Sequence, residues 1–294
     1  MNEKPLVSIL LLSMNHEKFI EKCILSLTDQ TYKNIEIIYL DNASSDRTLD
    51  IGKRLLEQSG IPHKIFSNKE SKGISKNLNF LLRFSSGQYI SPLSADDWFT
   101  IENIQKKVDF FCQHQETGMV FSNGWLYYQE EEKTVINDSS RFMRGHIFKE
   151  ILTIPDCIFY AGSMYSRNIF ESVGDWDEKL LIEDLDMYIR IALKSNIEYI
   201  DEPLVFYRKT KSSVSKNKNF MIDGCQQYYK KYKNAKWINM DKWLGERYRA
   251  VAAFYIDENK NKEAYSFLRE AIKLNPFSLN NHRTLFYLIK SSLT

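Results

Sequence analysis

Along the first hundred positions, apolar residues fall into two alternating patterns. Val7 to Leu12 is a continuous apolar run, the pattern of a strand buried on both faces of a parallel sheet, and helical spacing follows from Phe19 to Leu27. Asn34 to Leu40, NIEIIYL, predicts a second strand ending at Asp41. Ser45 and Asp46 can cap the next helix, whose apolar face carries Leu49, Leu55 and Leu56. HKIFSN predicts a third short strand, GISKNLNFLLRF a helix opened by Gly73, and Gln88 to Leu93 a fourth strand. This β-α alternation predicts a doubly wound, mostly parallel α/β sheet flanked by helices, with ligands beyond the carboxyl ends of its strands. Polar clusters stand at those ends, at Ser13 to Asn15, Asp41 with Asn42, and Ser94 to Asp97. They are expected to converge on one crevice.

After a helix from Ile101 to His114, the aromatic and β-branched stretch from Met119 to Ile136 predicts antiparallel additions to the sheet. KTVINDSSRFMRGH reads as a mobile polar loop. A strand from Tyr160 to Tyr165 and a helix from Asn168 to Val173 follow, and GDWDEKLLIEDLDMYIRIALKS carries a second group of acids into a new helix. IEYID and LVFYR read as a strand pair closing the domain. Beyond Ser215 strand signals fade. RYRAVAAFYIDENKNKEAYSFLREAIKLNPFS, with Ala252, Ala264 and Ala271 at helical spacing and Pro276 as terminator, is similar to one tetratricopeptide helix pair. One such pair cannot bury its own face, so it is expected to pack on the preceding domain or on a second copy in a homodimer. The expected division is residues 1–215 and 216–294.

Composition narrows the class. Hydrophobic residues make up 43% and charged residues 27%, the balance of a globular chain, and a net charge of +2 gives no footprint for nucleic acid. The four cysteines are scattered, with no CxxC pair, so they read as small core hydrophobes in a reducing compartment. PLVSILLLSMN is too short to span a bilayer and no small-residue cleavage site follows it. A cytoplasmic protein is expected.

Taken together, the ordered motifs resemble a family 2 glycosyltransferase with the GT-A fold, and the resemblance covers residues 5 to 215. Its implications go residue by residue. PLVSILLLSMN resembles the strand and loop that hold the nucleotide base, which assigns Leu12, Met14 and Asn15 to the donor. LDNASSD resembles the second-strand motif, which assigns Asp41 to base or ribose; read by itself, Asp41 is a turn or N-cap residue. NKESKGISKNLN resembles the segment near the diphosphate, where Asn68, Gly73 and Asn79 match and Lys76 is implicated with them, and a helix start offers free N–H groups to an anion. LSADDWF stands where the family has its DxD motif. Ser94 replaces the first acid, Ala95 lies between, Asp96 is the implied ligand of Mn2+ or Mg2+, and Asp97 supports the metal or orients the loop.

IEDLDMYIR resembles the family's ED motif. An acceptor hydroxyl is a weak nucleophile, so a carboxylate must take its proton, and the resemblance implies Asp184 as that base with Glu183 orienting the acceptor. An acidic first turn favoured by the helix dipole is the alternative, and Asp186 with Arg190 reads as a surface i, i+4 pair. Trp176 either stacks on an acceptor sugar beside Asp177 or closes the core. EPLVFYRKTKSSVS resembles the segment closing over the diphosphate, with Arg208, Lys209 and Lys211 as loop charges. Thr210 stands where many relatives have histidine, Met14 where an aromatic is frequent, and Leu78 where an arginine is frequent.

The implied activity is inverting transfer of a sugar from a nucleotide diphosphate sugar, a UDP-sugar, to a hydroxyl of a glycan or lipid-linked glycan, as in surface polysaccharide synthesis. A lipid-linked acceptor implies peripheral contact with the inner face of the membrane, for which CQQYYKKYKNAKW is a candidate segment; a solvated helix face is its alternative. The rival reading is a non-catalytic nucleotide-sugar or glycan-binding module, supported by Ser94 and Thr210.

Overall fold

The computed structural model describes residues 4–154, 156–211 and 217–291. Within these, the chain divides into two compact units, one of residues 4–179 and 183–211 and the other of 180–182 and 217–291. The boundary expected at 215/216 lies outside the described residues.

The first unit begins with β1 (Val7–Ser13), α1 (Ile20–Thr28), β2 (Ile35–Asp41), α2 (Thr48–Ser59), β3 (His63–Ser67), α3 (Ile74–Phe84) and β4 (Tyr89–Ser94). β1 pairs in parallel with β2 on one side and β4 on the other, so the strand order reverses around β1. The uninterrupted apolar runs are explained by burial: Val7, Ile9, Leu10, Leu11, Ile37 and Ile38 are all shut from solvent under the flanking helices. Reversal at β1 opens a crevice above the carboxyl ends of these strands.

The remaining elements are β5 (Trp98–Phe99), α4 (Asn103–Gln113), β6 (Thr117–Tyr128), β7 (Lys133–Ile136), α5 (Phe148–Thr153), β8 (Met164–Ser166), α6 (Arg167–Val173), α7 (Asp184–Ala192) and β9 (Asn196–Lys209). The sheet runs β3-β2-β1-β4-β8-β6-β9-β5, with β7 paired to β6. Two local expectations change. IEYID and LVFYR are one strand, β9, which the Glu202 and Pro203 region kinks without ending, and it lies parallel to β6. The polar stretch after Glu132 contributes β7 before it becomes a loop. Between Asp97 and α4, Trp98 and Phe99 add the short strand β5 against β9.

In the second unit lie α8 (Lys218–Tyr232), α9 (Met240–Asp257), α10 (Asn261–Leu274) and α11 (Leu279–Ser291). Asn217 and Asn239 cap α8 and α9 by accepting from the backbone N–H groups of Phe220 and Lys242. Ala252, Ala264 and Ala271 are fully buried, which lets α9 and α10 approach closely. The segment 180–182 belongs here: Tyr228 Oη donates to the Ile182 carbonyl at 2.5 Å and Leu181 N to Gln227 Oε1 at 2.7 Å. No helix among the described residues is long and apolar enough to cross a membrane.

Candidate active site

Sheet register builds the site. Ser13 lies opposite Asp41, and Leu12 lies opposite Ser94. The three polar strand ends expected to converge therefore stand side by side on adjacent parallel strands. Ladder bonds extend past the strands, from Asn42 N to Ser13 O at 2.8 Å and from Ala95 N to Leu12 O at 2.9 Å. Ser94 is exposed at the rim while Ala95 is fully buried beneath it.

Asp41 is 2% exposed, and both its carboxylate oxygens are bonded within the protein. Oδ1 accepts from Ser13 Oγ at 3.0 Å and Ser44 Oγ at 2.5 Å, and Oδ2 accepts from Ser44 N at 2.9 Å. This is the turn role that Asp41 has when read alone; any ribose contact must share those oxygens. Asn15, in the left-handed region at φ 56, locks the facing turn by accepting from Ser45 N at 2.9 Å. Asn68 donates to both Asn42 Oδ1 and Asn77 Oδ1 at 2.9 Å, so it holds the 68–72 segment in place from within. Met14, 41% exposed, is the open apolar group at this end.

At the next position, α3 begins after Gly73, whose extended backbone (φ −60, ψ 151) and empty surroundings would admit any side chain. The first backbone N–H bonded within the helix is that of Asn77, to Gly73 O at 3.1 Å, which leaves the N–H groups of the preceding turn at the helix start, beside exposed Lys76.

Asp96 and Asp97, adjacent in sequence, differ in environment. Asp97 is 5% exposed and its Oδ1 accepts from the backbone N–H of Arg208 at 2.8 Å. Burial, reinforced by the charge of Asp96, pushes its carboxyl well above the usual range. Asp96 is half-buried, and among the described residues no side-chain hydrogen bond engages its carboxylate. Arg208 is not a loop charge. It lies in β9, buried, with Nε donating to the Asp96 carbonyl at 2.8 Å, a second nitrogen donating to Gln129, and its guanidinium over Phe19, Trp98 and Tyr127 at 4.4, 4.8 and 5.1 Å. Lys209 lies over Tyr207 at 4.3 Å, and Ser212 to Ser215 lie outside the described residues.

Glu183 and Asp184 open α7, and Asp184 Oδ1 accepts from Leu185 N at 2.6 Å. Burial raises the proton affinity of both carboxyls, and the Asp184 charge raises that of Glu183 further. The pair therefore retains a proton to a higher pH than free carboxylates do. Tyr160 connects this pair to the strand ends: its hydroxyl is raised first by burial and then by the charges of Tyr207, Asp184 and Asp97, so the two acidic groups act on one phenol. The topology explains this, because β8 runs antiparallel to β4 and the Tyr160 to Ser163 turn before it comes down beside the carboxyl end of β4.

Two expectations are corrected here. Asp186 and Arg190 are spaced i, i+4, but Asp186 is fully buried; Arg190 Nε donates to it at 2.8 Å while its other nitrogens donate to the carbonyls of Val173, Gly174 and Asp175. The pair is an internal clamp on the turn leading to Trp176. Trp176 itself is 3% exposed, with its ring 5.0 Å from Phe170 and 5.9 Å from Tyr165, so it closes the core and offers no face to a sugar. Asn79 fixes it by accepting from Trp176 N at 3.0 Å and donating to its carbonyl at 2.8 Å. Asp177, half-buried, accepts from Lys179 N at 3.0 Å.

For a divalent cation the fit is partial. Among the described residues no group of three or more His, Cys, Asp or Glu side chains could hold one. Asp96 offers a carboxylate of the right hardness, suited to a cation that takes its other ligands from substrate phosphates, whereas Asp97 is already bonded to β9. Tyr160, Gln129 and the aromatic setting of Arg208 are absent from the sequence reading. One signal was available, since Phe19 follows Lys18 and Trp98 follows Asp97 at the starts of elements.

The doubly wound sheet with acids at its carboxyl end has the GT-A fold, as comparison with solved structures shows. Staphylococcus aureus TarS 1-349 in complex with UDP-GlcNAc superposes with TM-score 0.65 at 15% identity, covering 97% of this chain and 88% of that one. The mannosyltransferase PcManGT from Pyrobaculum calidifontis, in complex with GDP-Man and Mn2+, gives 0.65 at 15%, covering 99% and 87%. The sequence model of glycosyl transferase family 2 matches residues 8–174, and the chain belongs to that family. Among curated relatives, glycosyltransferase GlyA of Streptococcus pneumoniae is 27% identical, over 71% of this chain and 31% of its own length. The Escherichia coli UDP-Glc:alpha-D-GlcNAc-diphosphoundecaprenol beta-1,3-glucosyltransferase WfaP is 35% identical over 43% and 48%. The chain thus spans between about a third and a half of the length of these two relatives.

Proposed function

We propose that this chain transfers a sugar, with inversion, from a UDP-sugar to a hydroxyl of a glycan or lipid-linked glycan. The observation that carries the reading is the juxtaposition of Ser13, Asp41 and Ser94, with Asp96 beyond, at the carboxyl ends of adjacent parallel strands in a chain of glycosyl transferase family 2; the acids Glu183 and Asp184 at the start of α7 supply the candidate base. The matched relative named for a diphosphoundecaprenol-linked acceptor and the UDP-GlcNAc complex of TarS support the acceptor and donor classes. A lipid-linked acceptor would bring the chain to the cytoplasmic face of a membrane, and the exposed aromatics Phe277 and Phe286 leave a surface for a second copy.

In this reading the nucleotide lies over Leu12, Met14 and Asn15, with Asp41 and Asn68 shaping the loops around it. The diphosphate faces the N–H groups at the start of α3, with Lys76 beside them, which stabilise the negative charge that grows as the bond to the anomeric carbon breaks. Asp96 would hold Mn2+ or Mg2+, which would neutralise diphosphate charge. Asp184 accepts the proton of the acceptor hydroxyl as its oxygen attacks the opposite face of the anomeric carbon, and Glu183 orients that acceptor. Attack and departure on opposite faces invert the configuration, and no covalent intermediate on the protein is needed.

The test is incubation with a panel of UDP-sugars and Mn2+, reading free UDP. Release that disappears in Asp184→Asn supports the enzyme. Binding of the UDP-sugar with no release, with or without acceptor lipids, would establish the rival binding module.

A further inference from the structure

Lys107 is fully buried on α4, one helical turn from Asn103, and its Nζ donates to Asn103 Oδ1 at 3.1 Å and to the carbonyl of Gly162. Asn103 is buried too, and its Nδ2 donates to Leu204 O of β9 at 2.7 Å. A polar strut therefore runs from β9 through Asn103 and Lys107 to the Tyr160 to Ser163 turn. Burying a lysine without an acidic partner is costly, and burial pulls its amine down to about 7. A leucine would fill the same apolar stripe with Ile104, Val108 and Phe111 at no such cost. What a leucine could not do is hold the Gly162 carbonyl.

That carbonyl belongs to a turn with no slack. Gly162 has φ +69, and a Cβ there would meet Phe99 at 3.0 Å and Val205 at 3.2 Å. Two residues earlier the same turn presents Tyr160, 41% exposed and near-perpendicular to Tyr207 at 5.2 Å. One residue later Ser163 Oγ donates to Tyr160 O at 3.3 Å, and the Ser163 hydroxyl is hydrogen-bonded to Tyr188 of α7, the helix that Asp184 opens. The turn thus packs against β5, two residues after Asp97, on one side and is tied to α7 on the other. We propose that Lys107 is a positioning residue for transfer: through the Gly162 carbonyl it fixes the turn that sets the placement of Asp184 relative to Asp97. The inference rests on the transferase reading above.

The strut does not touch the donor, so its loss separates binding from turnover. In Lys107→Met, UDP titrated by calorimetry is expected to bind with unchanged stoichiometry and a Kd within about threefold, while kcat falls about 10- to 100-fold, the scale of a misplacement of about an ångström. Lys107→Gln, which keeps an N–H donor on a shorter arm, should recover most of that loss, and Lys107→Leu, which fills the apolar stripe without a donor, replaces the methionine variant if that protein does not fold. Wild-type kcat in the methionine or leucine variant overturns the inference, as does a kcat that falls only in proportion to UDP-binding stoichiometry, which is mere unfolding. If the wild type itself releases no UDP from any donor, the transferase reading fails first and takes this one with it.

Discussion

Asp97 and Arg208, 111 residues apart in sequence, clasp each other reciprocally: the Asp97 carboxyl accepts the Arg208 backbone N–H at 2.8 Å, and the Arg208 guanidinium donates to the carbonyl of the adjoining Asp96 at 2.8 Å. Two adjacent acids thereby acquire separate tasks, one buried as a pin and the other left toward the crevice. Asp97→Asn keeps an acceptor for that N–H and is expected to unfold in urea close to the wild type and to retain UDP release. Asp97→Ala leaves the N–H unpaired and should lose about 1–3 kcal/mol. Equal loss of activity in Asp97→Asn and Asp96→Asn would mean that both carboxylates act on the donor.

The cation proposed at Asp96 gives a second test. Chelation with EDTA is expected to reduce the thermal shift that UDP gives the wild type, since a ligand raises Tm in proportion to how tightly it holds the folded state. Asp96→Asn should show the smaller shift with or without chelator. An Asp96→Asn protein whose UDP shift still depends on added Mn2+ places the ion elsewhere.

Asp184 and Glu183 make activity and stability respond to pH in opposite directions. Their folded-state proton affinities are raised, so between the ordinary carboxylate range and the raised values the folded protein binds more protons than the unfolded one. Stability contributed by the pair is therefore present at low pH and falls as pH rises through that window. In the proposed mechanism Asp184 acts deprotonated, so kcat/KM should rise across the same window. Asp184→Asn should lose about 10²- to 10⁴-fold in transfer, while its Tm at alkaline pH equals or exceeds that of the wild type. A variant both inactive and less stable at high pH would point to a structural carboxylate.

The parallel half of the sheet was legible because buried parallel strands leave continuous apolar runs, and Val7 to Leu12 or Asn34 to Leu40 admit few other readings. The antiparallel half was not. β9 is kinked where Pro203 sits, and a kinked strand has the same local signature as two short ones. Asp96 and Asp97 were visible as a pair, yet only tertiary contacts distinguish a pin from an open carboxylate. Trp176 was ambiguous for a similar reason: aromatic residues serve cores and sugar faces alike, and burial by Phe170 and Tyr165 decides between them. Lys107 had a signal that the chain pattern does carry, a lysine spaced with Ile104, Val108 and Phe111 on an apolar helix face.

Arg190 should prove the most sensitive residue outside the crevice. Its guanidinium satisfies a fully buried Asp186 at 2.8 Å and donates to three successive carbonyls, of Val173, Gly174 and Asp175. A planar fork of five donors suits that arrangement, and a lysine ammonium cannot reproduce it. Arg190→Met takes the guanidinium away from the buried Asp186 carboxylate, a change that typically costs about 3–5 kcal/mol, and releases the turn that sets Trp176 against Asn79. Arg190→Lys keeps the charge and should fall between the two. The double variant Asp186→Leu with Arg190→Met removes both charges, so it should regain part of the stability lost by Arg190→Met alone when the three are compared by urea unfolding. If the double variant is less stable than Arg190→Met, the carboxylate left behind is not what destabilises Arg190→Met, and Asp186 contributes through bonds other than the one to Arg190.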